Sequence, residues 1–280
     1  MSEESELFVF ADGPKVNASV EDIEQITQVR EIVKSDSWCK TVTLIETDKN
    51  KGLANSIIDG VTEIVNRYGK VIVLEDDLVS SPYFLQYMNE GLNMYESEND
   101  VACISGYVYP VKGKLPETFF IKGTDCWGWA TWKRAWDDFE IDGTKLLNEL
   151  LIKGLSYEFN FNDSYDYIQM LKDQIEGKNN SWAIRWYASA FLKNKLCLYP
   201  GKSYIQNIGT DGSGTHSGNS ERWKTEINLG NKNLIYTLPN ENLIAKKKIS
   251  VAFISGNRKR HLLSIVTNKI LSKLKTTLIK

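Results

Sequence analysis

Three consecutive carboxylates, Glu75, Asp76 and Asp77, follow directly after the apolar residues 71–74. Such a run predicts a buried parallel strand whose carboxyl end delivers the acids to the edge where open α/β sheets bind ligands. Adjacent carboxylates repel one another and are costly to desolvate. A hard divalent ion, Mn²⁺ or Mg²⁺, held between them and substrate phosphates is one interpretation. A solvated acidic turn before a helix start at residues 80–82 is the other.

Aromatic residues concentrate in the middle of the chain, where Trp127, Gly128 and Trp129 follow Asp125. Flat rings stack on sugar faces, and a nearby carboxylate can bond sugar hydroxyls, so the segment is a candidate sugar site. Packing in the core is the alternative, because most clustered aromatic side chains are buried.

Glycine and small hydroxyl residues dominate residues 207–218. This composition predicts a loop that folds over a ligand, with an ordinary surface loop as the alternative. His216 lies in this loop and is one of 2 histidines in the chain, which makes it a candidate contact to phosphate or metal.

The elements that must position these groups alternate along the first part of the chain. We predict strands at residues 7–11, 42–45 and 71–74 and helices at residues 19–33 and 53–68. This alternation is typical of a doubly wound, mostly parallel sheet flanked by helices. A further helix is expected at residues 81–95 and a further strand at residues 101–104.

Charge, cysteine spacing and hydropathy narrow the possible partners and the location of the protein. A net charge of −2 gives no reason to expect a nucleic-acid partner, and the 4 cysteines form no ligand pattern. The first residues are acidic and no apolar run has the length of a membrane span, so we expect a cytoplasmic protein.

The end of the chain differs in charge from the rest. From Lys246 onward it carries ten Lys or Arg residues and no Asp or Glu, with apolar residues at helical spacing. We therefore divide the chain into a domain at residues 1–240 and a basic amphipathic tail at residues 241–280. The tail could lie on an anionic membrane surface, or it could dock on the domain or on a partner.

The order of these motifs resembles GT-A fold glycosyltransferases, in particular bacterial polysaccharide sugar transferases similar to the N-acetylglucosaminyltransferase I type. The resemblance covers roughly residues 7–218. It rests on five segments: Asp12-Gly13, the turn at residues 50–55 with Asn50 and Gly52, Glu75-Asp76-Asp77, Trp127-Gly128-Trp129 and the glycine-rich loop. It implies a GT-A-like (Rossmann-like) mixed α/β fold.

The resemblance also implies roles for individual residues. Asp12 matches the acid that reads the uracil of a UDP-sugar, and Asp77 matches the carboxylate that ligates Mn²⁺. Glu75 and Asp76 match positions near the ribose and the donor sugar. The tryptophan segment matches the sugar and acceptor side, and residues 209–216 match the lid over the nucleotide-sugar.

Two departures from the family pattern stand out. Members usually have a strand and a helix before the Asp12 strand, and this first βα unit is missing from the given sequence. The stretch at residues 181–186 resembles the one that carries the catalytic aspartate, yet it contains none. The nearest substitutes in sequence are Asp125 and Asp173.

We therefore expect a metal-dependent transferase that moves a sugar from a UDP-sugar to a hydroxyl of a cell-surface glycan. The acceptor would be a glycan or lipid-linked glycan of the polysaccharide, O-antigen or capsule type, and the basic tail would hold the enzyme at the inner face of the plasma membrane. The alternative is a catalytically inactive remnant that binds nucleotide-sugar or serves as a scaffold.

Overall fold

The computed structural model describes residues 1–35, 38–209, 221–230 and 233–256. The strands are β1 (Glu6–Ala11), β2 (Thr41–Glu46), β3 (Lys70–Val73), β4 (Leu78–Ser80), β5 (Val101–Ser105), β6 (Thr118–Lys122), β7 (Trp129–Trp132), β8 (Leu196–Pro200) and β9 (Ile205–Asn207). The helices are α1 (Val20–Ser35), α2 (Leu53–Tyr68), α3 (Phe84–Met94), α4 (Lys133–Trp136), α5 (Gly143–Ile152), α6 (Ser156–Phe159), α7 (Tyr167–Ile175), α8 (Trp182–Leu192) and α9 (Leu243–Gly256). The expected mixed α/β fold with helices around a central sheet is confirmed.

The central sheet has five strands in the order β3-β7-β5-β8-β6. Only the β5–β8 pair is parallel among its described neighbours, while β3–β7, β5–β7 and β6–β8 are antiparallel. The expectation of a mostly parallel sheet is therefore wrong for this sheet. Parallel strands that follow one another in the chain need a long connection, usually a helix. No helix lies between β5 and β6 or between β6 and β7, so the strand–helix alternation that predicts parallel pairing in the first part of the chain is absent there.

The first two strands form a separate parallel pair, in which Leu7 lies opposite Val42 and Phe10 opposite Ile45. A third, antiparallel pair joins β4 to β9. This last pair brings the chain after residue 205 back to the acidic segment that follows β3.

Helix α2 connects these layers because its apolar residues recur on one side. Ala54, Val61 and Val65 are buried in the largest core cluster, and Val71 and Val73 of β3 pack against the same cluster. The helix ends at Gly69, which has φ 78° and donates its amide to the Val65 carbonyl. A left-handed residue at this position terminates a helix without the steric cost of a side chain.

Helix α9 belongs to the folded domain. Ala245, Ile249 and Phe253 are buried in the same core cluster as Trp129. Lys246 is buried as well and forms an ion pair with Glu241 at 2.8 Å. The domain therefore continues to Gly256, beyond the boundary that charge alone placed between residues 240 and 241. The part of the expected tail after Gly256 lies outside the described residues.

Candidate functional site

Helix α2 sets the common direction of β1 and β3. The Tyr68 hydroxyl at the end of α2 donates to Glu6 at the start of β1, at 2.8 Å. At the other end of the helix, the Gly52 amide donates to the Asp12 carboxylate just after β1, also at 2.8 Å. Since β3 begins directly after α2, β1 and β3 run the same way. Their carboxyl ends, which carry Asp12 and Glu75, thus lie at the same edge of the molecule.

The Asp12 carboxylate organises the loop at this edge. It accepts hydrogen bonds from the backbone amides of Gly13, Lys51 and Gly52 and from the Thr47 hydroxyl, at 2.8–3.0 Å. Burial raises the pKa of Asp12, but these donors outweigh burial and hold the pKa below its ordinary value. The observed partners of Asp12 are protein groups, and its contact with uracil stays a prediction.

Gly13 and Asn50 complete the same loop. A Cβ atom at Gly13 would lie 2.6 Å from the Thr47 carbonyl oxygen and from the Lys49 amide nitrogen, so two backbone segments meet where only glycine fits. The Asn50 side-chain amide donates to the Gly13 carbonyl at 3.0 Å. The structure thus brings together Asp12, Gly13, Asn50 and Gly52, all of which the sequence marked as site residues.

The acidic segment forms the turn between β3 and β4. Glu75 and Asp77 are half-buried, whereas Asp76 is exposed. Burial raises the pKa of Glu75 to about 7, and the charges of Asp77 and Asp76 add to this rise. Negative charge in this turn is therefore poorly compensated by the protein itself.

Asp77 is anchored by the end of β9. The Asn207 side-chain amide donates to Asp77 Oδ2 at 3.0 Å, and the Ile208 amide donates to the Asp77 carbonyl at 2.8 Å. A Cβ atom at Gly209 would lie 2.6 Å from Asp77 Oδ2, so the chain passes directly over this carboxylate. The sequence marked residues 207–218 as a ligand loop, but nothing in it paired Asn207 with Asp77.

The loop between β6 and β7 approaches the acidic turn from the central sheet. Burial raises the pKa of the Cys126 thiol, and the negative charges of Asp125, Glu75 and Asp77 raise it further. Three carboxylates from two loops therefore lie within electrostatic reach of one thiol. This proximity links the acidic turn to the tryptophan segment.

Asp125 is held by two tyrosines that sequence reasoning did not select. Its carboxylate accepts a hydrogen bond from the Tyr199 hydroxyl at 3.2 Å and one from the Cys126 amide at 2.7 Å. The Tyr109 hydroxyl is a further donor. Burial raises the pKa of Asp125, and these hydrogen bonds oppose the rise without cancelling it. In the sequence, the only signal for these hydrogen bonds was the high density of aromatic residues around Asp125.

The two tryptophans of the predicted sugar segment differ in environment. Trp127 is half-buried and its ring meets the Tyr107 ring edge to face at 4.7 Å. Trp129 is 0% exposed and its ring stacks on Trp182 at 5.3 Å. Trp129 therefore packs in the core and presents no free face to a sugar in this structure, which leaves Trp127 as the aromatic candidate.

Gly128 separates these two tryptophans. It has φ +59°, and a Cβ atom there would lie 2.5 Å from Ile205 Cγ1. The left-handed backbone and the close contact both require glycine. Gly128 therefore fixes the course of the loop beside the acidic turn, as a structural residue in contact with the strand that leads to Asn207.

Asp173 lies apart from this group, on α7. It accepts a hydrogen bond from Gln169 at 2.9 Å and lies 3.8 Å from Lys178 Nζ. Both described partners are within five residues of it, which is the pattern of a helix-surface carboxylate. His216 and residues 210–220 lie outside the described residues, so the predicted role of His216 stays a prediction.

The donor set at the acidic turn fits a hard divalent cation. Carboxylate oxygens are the ligands that Mg²⁺ and Mn²⁺ prefer. Burial is the main cause of the raised pKa of Glu75, and the charges of Asp77 and Asp76, which a cation would offset, add to it. Within the described ranges, no group of three or more His, Cys, Asp or Glu residues is arranged to hold a metal ion. A cation here would therefore need further oxygen ligands from water or from a bound substrate.

No protein-family model matches the chain, and no curated protein matches it. A search of the described helices finds none with both the length and the apolar character needed to cross a bilayer.

Proposed function

We propose that this protein is a metal-dependent glycosyltransferase with a GT-A-like fold. It would move a sugar from a UDP-sugar to a hydroxyl of a cell-surface glycan such as a polysaccharide, O-antigen or capsule chain. The observation that carries the proposal is the acidic turn, where burial and like charge raise the pKa of Glu75 to about 7. A diphosphate that binds together with a divalent cation would bring positive charge to the carboxylates of this turn.

Each residue group has a task in this proposal. Asp77 is the protein ligand for Mn²⁺ or Mg²⁺, and Asn207 fixes the orientation of its carboxylate through the 3.0 Å hydrogen bond. Once bound, the cation would supply the positive charge that stabilises a diphosphate leaving group. Trp127 offers a ring edge or face to the sugar.

Asp125 is the candidate that accepts the proton of the acceptor hydroxyl. A carboxyl whose pKa is raised by burial is a stronger base near neutral pH than an ordinary aspartate. Its hydrogen bonds from Tyr109 and Tyr199 hold it in one orientation beside the tryptophan loop. Asp173, the other aspartate proposed from the sequence, makes surface contacts on α7 and is the weaker candidate.

One observation favours the second candidate function, an inactive nucleotide-sugar-binding or scaffold protein. Strands β1 and β2, which support the Asp12 loop, contain no buried residue among their described positions. A loop on such a support is less firmly held than the acidic turn. Binding of UDP without any transfer or hydrolysis would favour this candidate.

Calorimetric titration with UDP, in the presence and absence of Mn²⁺, tests the proposal. We expect binding that requires Mn²⁺ and that falls at least about tenfold in Asp77→Ala. Asp137→Ala is the matched control, because Asp137 is an exposed carboxylate paired with Lys133 at 2.7 Å. Equal binding by wild type and Asp77→Ala would remove the metal assignment. A screen of UDP-sugars for Mn²⁺-dependent transfer or hydrolysis then separates enzyme from remnant.

We place the protein in the cytoplasm, at the inner face of the plasma membrane, with a glycan or lipid-linked glycan as acceptor. The basic residues after Gly256 support this placement through their attraction to anionic lipid.

A further inference from the structure

Helix α9 carries apolar residues on two opposite sides. Ile249 and Phe253 lie in the core. Ile244, Lys247 and Val251 recur at helical spacing on the opposite side, which we call the outer face of α9. Ile244 is 72% exposed and Val251 is 55% exposed. A surface helix normally places polar residues on its outer side, so an apolar outer face indicates a surface that binds a partner.

A basic loop lies beside the outer face of α9. Lys112 and Lys114, in the loop between β5 and β6, are exposed. The Lys248 ammonium of α9 donates to the Lys114 carbonyl, which holds this loop against the helix. Residues 110–116 and 243–256 contain several lysines and no Asp or Glu. The apolar side chains of the outer face are therefore flanked by positive charge.

This charge decides between the partners that could cover the outer face. A second copy in a symmetric contact would bring Lys247 and its neighbouring lysines against the same lysines of the other copy. Residues 257–280 are also basic and contain no Asp or Glu. Either contact places like charges together, which is unfavourable. An anionic bilayer instead offers negative headgroups to the lysines and an apolar layer to Ile244 and Val251.

We propose that the folded domain docks on an anionic lipid bilayer through the outer face of α9 and through Lys112 and Lys114 of the neighbouring loop. This surface acts together with residues 257–280, because stable attachment to a membrane usually takes two signals. The proposal deepens the placement at the plasma membrane that is part of the proposed function, and it assigns the contact to residues of the domain itself.

The docked orientation brings the candidate site close to lipid. On the inner side of α9, the Phe253 ring meets the Tyr109 ring at 4.8 Å, and Tyr109 donates to Asp125. An α-helix with its side chains is about 10 Å wide, so the aromatic cluster around Asp125 lies about one helix width from the bilayer surface. This distance suits an acceptor hydroxyl on a glycan that is attached to a lipid.

Acetylation of lysines in the full 280-residue chain, followed by mass spectrometry, tests the docking surface. With vesicles of phosphatidylglycerol and phosphatidylcholine, we expect Lys112, Lys114 and Lys247 to react at least about fivefold more slowly, because lipid covers them. Lys15 and Lys40 are the controls, since both are exposed near the β1–β2 pair, whereas α9 packs on β6. Pure phosphatidylcholine vesicles should protect none of these lysines.

The same measurement distinguishes the other partners. Slower reaction of the lysines after Gly256 alone would mean that residues 257–280 dock without the domain, and it would overturn the proposal. Without vesicles, protection of Lys247 that increases with protein concentration would assign the outer face to a second copy. Faster reaction of Lys247 in a chain ending at Gly256, again without vesicles, would assign it to residues 257–280. Either result would overturn membrane docking through this face.

A double variant tests the apolar part of the surface. Ile244→Ser with Val251→Ser should weaken binding of the full chain to anionic vesicles at least about tenfold, because two apolar side chains no longer enter the lipid. Its melting temperature should not change, since both side chains are exposed. Val20→Ser with Val29→Ser is the matched control, because these side chains of α1 are 73% and 56% exposed.

Equal vesicle binding by wild type and the Ile244 and Val251 double variant would contradict docking through the outer face. That result would leave the transferase proposal untouched, because Mn²⁺-dependent UDP binding is measured without vesicles. Conversely, vesicle binding through this face in a protein that does not bind UDP would count against the transferase alone.

Discussion

Glu75 links the stability of the metal-free protein to pH. Its folded-state pKa of about 7 lies above the ordinary value of 4.5, so the folded protein binds more protons than the unfolded chain between these values. The associated stability is fully present below about pH 4.5 and is lost as pH rises through 7. The loss is at most about 3.5 kcal/mol, because the pKa differs by about 2.5 units and one unit corresponds to about 1.4 kcal/mol.

We therefore expect Glu75→Gln to raise the melting temperature of the metal-free protein at pH 8 by about 2–6 °C, with no gain at pH 4.5. Thermal melts with a chelator at the two pH values measure this. Asp76→Asn is the control, since Asp76 is exposed and should have a smaller effect. A Glu75→Gln gain of equal size at both pH values would show that ionisation of Glu75 is not its cause.

Tyr199 influences the pKa of Asp125, the proposed base. Its hydroxyl stabilises the ionised form of Asp125, so Tyr199→Phe should raise the pKa of Asp125 further. A base must be deprotonated to act, and the acidic limb of the transfer rate against pH should shift upward by up to about one unit. Tyr165→Phe is the control, because Tyr165 packs against Tyr167 at 4.5 Å and is not a described donor to Asp125. An unshifted limb in Tyr199→Phe would argue against Asp125 as the base.

For helix α9, the charge pattern of the sequence and the observed packing lead to different domain boundaries. The basic composition that begins at Lys246 suggested a separable tail, yet one side of α9 lies in the core with Ile249 and Phe253. Phe253 meets the Tyr109 ring edge to face at 4.8 Å, and Tyr109 in turn donates to Asp125. Helix α9 therefore supports the candidate site through the aromatic cluster.

Phe253→Ala should lower the free energy of unfolding by about 3–5 kcal/mol, the usual cost of removing a buried phenylalanine ring. Urea unfolding followed by tryptophan fluorescence measures the change. Val251→Ala on the same helix is the control, because Val251 is 55% exposed and should cost well under 1 kcal/mol. A similar cost for both variants would mean that α9 does not pack as described.

A truncation that tests membrane docking without disturbing the fold must keep helix α9. A chain that ends before Lys246 would lose Ile249 and Phe253 from the core. We expect the full chain to float with anionic liposomes and a chain ending at Gly256 to remain in the lower fractions. Neutral liposomes serve as the control. Equal flotation of the two chains would contradict docking through residues 257–280.

Sequence patterns predicted the helices and strands of the first part of the fold, because each of these elements depends on residues that are close in sequence. The apolar residues of α2 recur at helical spacing and its termination requires a left-handed residue, which Gly69 provides. The same holds for the three acids after β3, since a strand that ends in carboxylates predicts their position at the sheet edge. These features depend on neighbours within a few residues, so the sequence carries them directly.

Contacts between side chains that are distant in sequence could not be predicted from local patterns. Trp127 and Trp129 are two residues apart, but the left-handed turn at Gly128 leaves Trp127 in the loop beside the acidic turn and places Trp129, the first residue of β7, in the core. Likewise, Asn207 reaches Asp77 because β9 pairs with β4, a contact across 130 residues. Such pairings depend on how faces of distant elements fit together. Local patterns thus predicted the elements and the acidic strand end, whereas packing between distant elements selects the residues that complete the site.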